Sequence, residues 1–217
     1  MGATHHATDQ PEWVASFFES AEQQRSAASM GMWLFLAQEI LFFSGLFMAY
    51  IAYRFLYPGT WLSGAEVLNK WMGAANTVVL LTSSLTMVLA IRDLQLNKTM
   101  SSVRWIWATV GLAGVFLVVK AFEYAHKFHM GIFPGGHYEG GAVEGMAGIF
   151  FGIYYTATGL HALHVIIGMG LLGWLAVKVK NGSVTGENDV LAENLGLYWH
   201  LVDLVWIFLF PMLYLVK

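Results

Sequence analysis

Thr158-Gly-Leu-His161-Ala-Leu-His164-Val-Ile-Ile-Gly168 lies inside a stretch that carries no charged residue between Met146 and Lys178. About 20 apolar residues are enough for a helix to cross the bilayer core, so the run reads as a membrane span. Four more apolar runs recur along the chain, and the five together cover residues 30–56, 71–91, 103–122, 147–179 and 195–216. In lipid, only helices and closed barrels satisfy every backbone polar group, and the residue-by-residue alternation of a barrel is absent. The prediction is an all-α integral membrane fold with five transmembrane helices in one bundle. Composition agrees: of 217 residues, 57% are hydrophobic and only 12% charged, with mean hydropathy +0.58. A soluble domain of this length carries more charge.

Residues 1–29 form a polar, interfacial N-terminal segment ahead of the transmembrane domain at 30–217. Within that segment Pro11-Glu-Trp13-Val-Ala-Ser-Phe17-Phe18-Glu19 predicts a short interfacial helix, with proline in its first turn and aromatics suited to the headgroup region. No basic stretch followed by an apolar core is present there, so the segment does not read as a signal peptide. Two linkers, Tyr57-Pro-Gly-Thr-Trp61 and Phe133-Pro-Gly-Gly-His137-Tyr-Glu-Gly-Gly141, are turn-rich; those around Arg92–Lys98 and Lys178–Lys180 are short and basic. The positive-inside rule then sets the N-terminus in the cytoplasm and the C-terminus outside. Arg25, Arg92, Lys98, Arg104, Lys178 and Lys180 fall on the inner side, against Arg54, Lys70, Lys120, Lys127 and Lys217. The net charge of −3 and the scatter of basic residues give no nucleic-acid signature, and with no cysteine there is neither a disulfide nor a thiolate metal site.

Ionisable groups at membrane depth are costly and usually kept for a task. Glu39 lies roughly 13 Å into the first span by helical rise. A carboxyl there is expected to be paired or to carry a proton, because an unpaired carboxylate in hydrocarbon is very unfavourable. It serves either as interhelical hydrogen-bond glue or in a proton-handling or lipid-facing role. His161 and His164 share a helix face with Tyr154, Ala157 and Gly168, so small residues let a neighbouring helix approach. His200 and Asp203 are likewise one turn apart, where the carboxylate can hold the imidazole. At the end of the third span Lys120 and Glu123 read as an interfacial ion pair, with the lysine snorkelling to the headgroups. His5 and His6 lie on the polar terminus and receive no role.

His-x-x-His with His-x-x-Asp and a glutamate resembles the ligand inventory of di-metal carboxylate bundles. Those bundles repeat Glu-x-x-His on two helices, however, and here only Glu39 lies deep. A bis-histidine haem is disfavoured as well. By helical rise His164 lies roughly 20 Å and His200 roughly 10 Å from the inner end, a mismatch in depth.

Five ordered stretches carry a family resemblance: Gly31-Met-Trp-Leu-Phe-Leu-Ala-Gln-Glu39-Ile-Leu-Phe-Phe-Ser-Gly45, Asn76-Thr-Val-Val-Leu-Leu-Thr-Ser-Ser84, Glu123-Tyr124, Ala157-Thr-Gly-Leu-His161-Ala-Leu-His164, and Tyr198-Trp-His200-Leu-Val-Asp203-Leu-Val-Trp206. Together they touch all five spans and resemble subunit III of the haem–copper cytochrome oxidases, in the five-helix bacterial form that lacks the first two helices of the longer members.

What the resemblance implies is an accessory, non-catalytic subunit of a proton-pumping terminal respiratory oxidase, in a bacterial inner membrane. Such a subunit packs on subunits I and II of a complex that reduces oxygen to water with electrons from cytochrome c. Haem and copper belong to the partner subunits, none to this chain, and bound phospholipid is expected; a respiratory supercomplex is a further assembly the resemblance allows. Glu39 matches the family's buried, carbodiimide-reactive glutamate. Glu123, His161, His164, His200 and Asp203 map onto its other polar positions, as proton- or lipid-related residues. The alternatives are a stand-alone membrane transporter or proton channel using Glu39 and the histidines, and an intramembrane di-metal enzyme. Five spans with no evident internal repeat argue against the repeat-built transporters.

Overall fold

The computed structural model describes residue 11 and residues 13–132 and 147–215. The linker at 133–141, His5 and His6, and Lys217 lie outside the described residues. Six helices follow in order: α1 (Ala21–Leu56), α2 (Pro58–Glu66), α3 (Lys70–Gln95), α4 (Thr99–His129), α5 (Ala147–Lys180) and α6 (Val190–Tyr214). The described residues contain no strand. All but α2 are long and apolar enough to cross a membrane, and the chain is a multi-pass helical membrane bundle.

Local chemistry sets where these helices begin. Ser20 Oγ accepts a hydrogen bond from the Gln23 backbone N–H at 3.1 Å, starting α1 nine residues ahead of the expected Met30. Asn69 Oδ1 accepts from the N–H groups of Trp71 and Met72, which caps α3. Between α3 and α4 the chain reverses through Asn97 at φ 57°, a left-handed conformation that asparagine tolerates.

Two expectations for the ends of the bundle are corrected. The interfacial helix at Pro11–Glu19 does not form among the described residues, where 13–20 run as turns and bends. Val14 N–H bonds back to Pro11 O and Phe18 N–H to Ala15 O, both three-residue closures. The amide side chains of α1 take the N–H groups that a longer helix would use: Gln24 Oε1 accepts from Ala15 and Gln23 Oε1 from Glu19, each at 2.7 Å. Conversely, the linker read as a turn at Tyr57–Trp61 opens a helix, α2. Pro58 occupies its first turn, where a missing N–H costs nothing.

Helices α3, α4, α5 and α6 pack around a common core, each against the next, with α6 closing back on α3. Helix α1 lies outside this ring on α5 and α6, and α2 rests on α1, α5 and α6. Fully buried Trp61, Phe116, Phe150, Tyr154, Trp199, Trp206 and Tyr214 fill the interior. Close approach of α5 and α6 depends on Gly168, because a Cβ there would meet the Trp199 ring at 2.8 Å. Similarly, Gly64 lets α2 settle directly on the Phe150 ring. Outward faces stay apolar on every spanning helix, as contact with lipid requires.

Candidate functional site

The polar residues inside the bundle resolve into three separate groups, each joining different helices. The first joins α1 to α5. His164 Nε2 lies 3.1 Å from Glu39 Oε2, with both side chains mostly enclosed, and Nδ1 of the same ring lies 2.8 Å from Leu160 O. A carbonyl can only accept, so Nδ1 carries a hydrogen. Two states then satisfy the Nε2 contact: a neutral imidazole accepting from a protonated Glu39, or an imidazolium donating to a carboxylate. Both have zero net charge and differ only in where one proton sits, which reconciles the pair with its depth. The expected deep carboxyl is therefore paired.

The two histidines of α5, read together on one face, go to different neighbours. His161 is wholly enclosed, with its ring against Phe116 at 5.4 Å and Trp206 at 5.3 Å, and among the described residues neither of its nitrogens has a hydrogen-bond partner. The depth argument against haem also changes. Contacts of His161 with Trp206 and of Gly168 with Trp199 bracket His164 between those levels, within about one helical turn of His200. What separates His164 from His200 is direction, one bonding to α1 and the other to α3.

The second group is the most heavily charged. Lys120, Glu123 and Lys127 of α4 are only 3%, 4% and 2% exposed. Glu123 accepts from Lys120 Nζ at 2.9 Å, Lys127 Nζ at 2.7 Å, Tyr154 OH at 3.1 Å and Tyr214 OH at 2.7 Å. Lys120 spends its other donors on Tyr154 and Tyr214, and its ammonium lies over the rings of Tyr124, Tyr154 and Trp206. Tyr124 and Thr158 are hydrogen-bonded beside it. The ion pair anticipated at Lys120–Glu123 is present, yet the snorkelling lysine is not: both ammoniums turn inward, because a carboxylate and three aromatic hydroxyl-bearing rings offer more than the headgroups do. Lys127, Tyr154 and Tyr214 were not foreseen as members. A signal was available, since Lys120 and Lys127 stand three before and four after Glu123, on one face.

In the third group, between α3 and α6, Ser84 stands between the two residues expected to bond directly. Its hydroxyl donates to Asp203 Oδ2 and lies 3.0 Å from His200 Nδ1. Ser83 also reaches Asp203, at 3.3 Å, and accepts the Trp199 indole N–H. The carboxylate thus orients the imidazole through a hydroxyl, not by contact. Among the described residues, no three of His, Asp or Glu converge as metal ligands would.

The family model of cytochrome c oxidase subunit III matches residues 19–217. The chain belongs to the cytochrome c oxidase subunit III family. It is 29% identical over 208 residues to a cytochrome c oxidase subunit 3 of Corynebacterium diphtheriae, covering 92% of this chain and 96% of that one. A cytochrome c oxidase subunit 3 of Alkalihalophilus pseudofirmus is 29% identical over 211 residues, 96% of each chain. Identity reaches 32% over 219 residues with a heme-copper oxidase subunit I+III of Aeropyrum pernix, covering 97% of this chain and 25% of that protein. The chain therefore spans about a quarter of that longer relative and nearly all of the other two. Subunit III proteins are components of an oxidoreductase complex, so this chain has oxidase subunits as partners.

One test bears on the Glu39–His164 pair. Carbodiimides attack a protonated carboxyl in an apolar setting, and one of the two states of the pair provides it. Treating membranes with dicyclohexylcarbodiimide is expected to label Glu39, found as a mass increment on its peptide, and Glu39→Gln is expected to remove the label. Modification confined to exposed acids such as Glu66 would show that the carboxylate–imidazolium state prevails.

Proposed function

We propose that this chain is the accessory, non-catalytic subunit of a proton-pumping terminal oxidase that reduces oxygen to water with electrons from cytochrome c. It braces subunit I, assists proton uptake and retains phospholipid, while haem and copper reside in partner subunits. The observation that carries the reading is the family match across residues 19–217, which takes in every spanning helix. The geometry supports it, because Glu39, Glu123 and Asp203 bond to side chains of neighbouring helices, as polar residues that hold a bundle together do. Of these groups, Glu39–His164 is the one suited to proton traffic: it relocates a proton without changing net charge. Glu123, His161, His200 and Asp203 are the remaining proton- or lipid-related positions, and each packs between helices of the bundle.

The chain is assigned to a bacterial inner membrane with its N-terminus in the cytoplasm. Burial of Lys120 and Lys127 supports that orientation, since both drop out of the count of basic residues outside. Among the described residues that leaves Arg54 and Lys70 there, against Arg25, Arg92, Lys98, Arg104, Lys178 and Lys180 within.

Stripping the chain from the complex tests the proposal. Haem spectra and the first turnovers of oxygen consumption are expected to persist, activity to decline over repeated turnover, and proton uptake at high pH to slow. A bracing subunit lowers the rate in part, whereas loss of a true general acid or metal ligand costs orders of magnitude at once. If the depleted complex keeps all its haem and copper yet is inactive from the first turnover, the chain contributes to the chemistry and the accessory reading is wrong.

A further inference from the structure

His200 lies roughly 10 Å from the inner end of its apolar span by helical rise, within the hydrocarbon. Its ring is half-buried between α3 and α6. With Asp203 as a carboxylate, the single Ser84 hydroxyl hydrogen goes to Asp203 Oδ2, and Ser84 Oγ accepts from His200 Nδ1. A neutral imidazole with hydrogen on Nδ1 presents Nε2 as an acceptor. No described residue bonds to that nitrogen, and the exposed side chains near it along the two helices, Leu81 and Leu85 flanking Ser84 and Leu204 and Ile207 one and two turns past His200, are apolar. The other two polar groups are satisfied within the chain, by Glu39 with His164 and by Glu123 with its lysines and tyrosines.

A hydrogen-bond acceptor facing outward at this depth is unfavourable against acyl chains, which have nothing to donate. A protein helix supplies what lipid lacks. We infer that the α3–α6 face centred on His200 is a docking surface for a transmembrane helix of another oxidase subunit, which brings a hydroxyl, amide or indole N–H donor to His200 Nε2. This rests on the reading of the chain as an oxidase subunit. Leu81, Leu85, Leu204 and Ile207 frame the contact, and Ser84 with Asp203 behind it holds the ring in the orientation that offers Nε2 to the partner. Such a bond selects register along the partner helix as well as adding affinity.

Photo-crosslinking in the assembled complex tests the face. Benzoylphenylalanine at position 85 or 204 is expected to form adducts with a membrane-spanning chain of different mass, identified by peptide sequencing. At position 118 on α4 or 166 on α5, equally exposed, it is expected to capture lipid. His200→Phe is expected to weaken association with the partner roughly three- to thirtyfold, the worth of one interhelical hydrogen bond, read as haem retained per chain through detergent washes. His200→Gln, which keeps an acceptor, is expected to retain most of it. Lipid-only adducts from positions 85 and 204 in a haem-containing complex overturn this face alone, as do adducts to a second copy of the chain. Purification of the chain free of any haem partner overturns both this inference and the functional reading beneath it.

Discussion

Glu123→Ala is expected to destabilise the fold by about 3–5 kcal/mol, the range seen when one member of a buried ion pair is removed and its partner is left uncompensated. Here two partners are left, because the carboxylate sits between the ammoniums of Lys120 and Lys127 at 2.9 and 2.7 Å. Their formal charge rises from +1 to +2 in the same enclosed volume. Lys127→Met acts in the opposite sense, leaving one lysine and one glutamate. It loses a charge-assisted hydrogen bond but strands no charge, so its cost is expected at about 1.5–3 kcal/mol. Thermal unfolding followed by the helical signal in mild detergent orders the two variants. A larger loss from Lys127→Met would mean that the cluster does not carry the excess positive charge that the residue count gives it.

Trp206→Ala is expected to cost about as much, 3–5 kcal/mol, by opening a cavity between α4, α5 and α6. The indole is fully buried, with Phe116 at 4.9 Å and His161 at 5.3 Å between ring centroids, and Lys120 Nζ lies 5.3 Å over its face. Its N–H also donates to Thr77 Oγ1 at 3.1 Å, joining α6 to α3. Between helices in lipid, packing contributes more than any hydrophobic term, so atoms removed here are not replaced. Trp206→Phe keeps much of the ring and loses the N–H, and is expected to cost less than half as much in the same measurement. Since His161 makes no hydrogen bond among the described residues, it depends on these rings for its position, and a shift in its proton resonances should accompany the alanine variant.

The bundle was legible because hydropathy reports burial in lipid directly: five runs gave five helices, and errors stayed at the ends. There, side-chain amides decide matters that periodicity does not register. Gln23 and Gln24 bond back to Glu19 and Ala15 and stop a helix that Pro11 invites, while Pro58 begins one in a segment rich in turn formers. Individual polar residues of the site were visible as isolated oddities within apolar runs. Their partners were not, since a hydrogen bond such as Glu39 to His164 joins positions 125 residues apart. Helix direction was the missing quantity. Two histidines three apart look like one face on paper, yet one reaches α1 and the other turns into the core among rings. The tyrosines around Glu123 were overlooked for the same reason, because Tyr154 on α5 and Tyr214 on α6 meet Glu123 only through the faces those helices turn toward α4.

The place of α1 outside the four-helix ring bears on how the chain is built. Synthesis delivers α1 to the membrane ahead of α5 and α6, which make the surface it rests on. Until then Glu39 has no His164, and a carboxyl bound for the bundle must wait in the bilayer without its imidazole. Insertion and assembly are therefore separate stages for this helix. The intervening hairpin of α3 and α4 can pack as a local unit, whereas closure of α1 reports that α5 and α6 have been made.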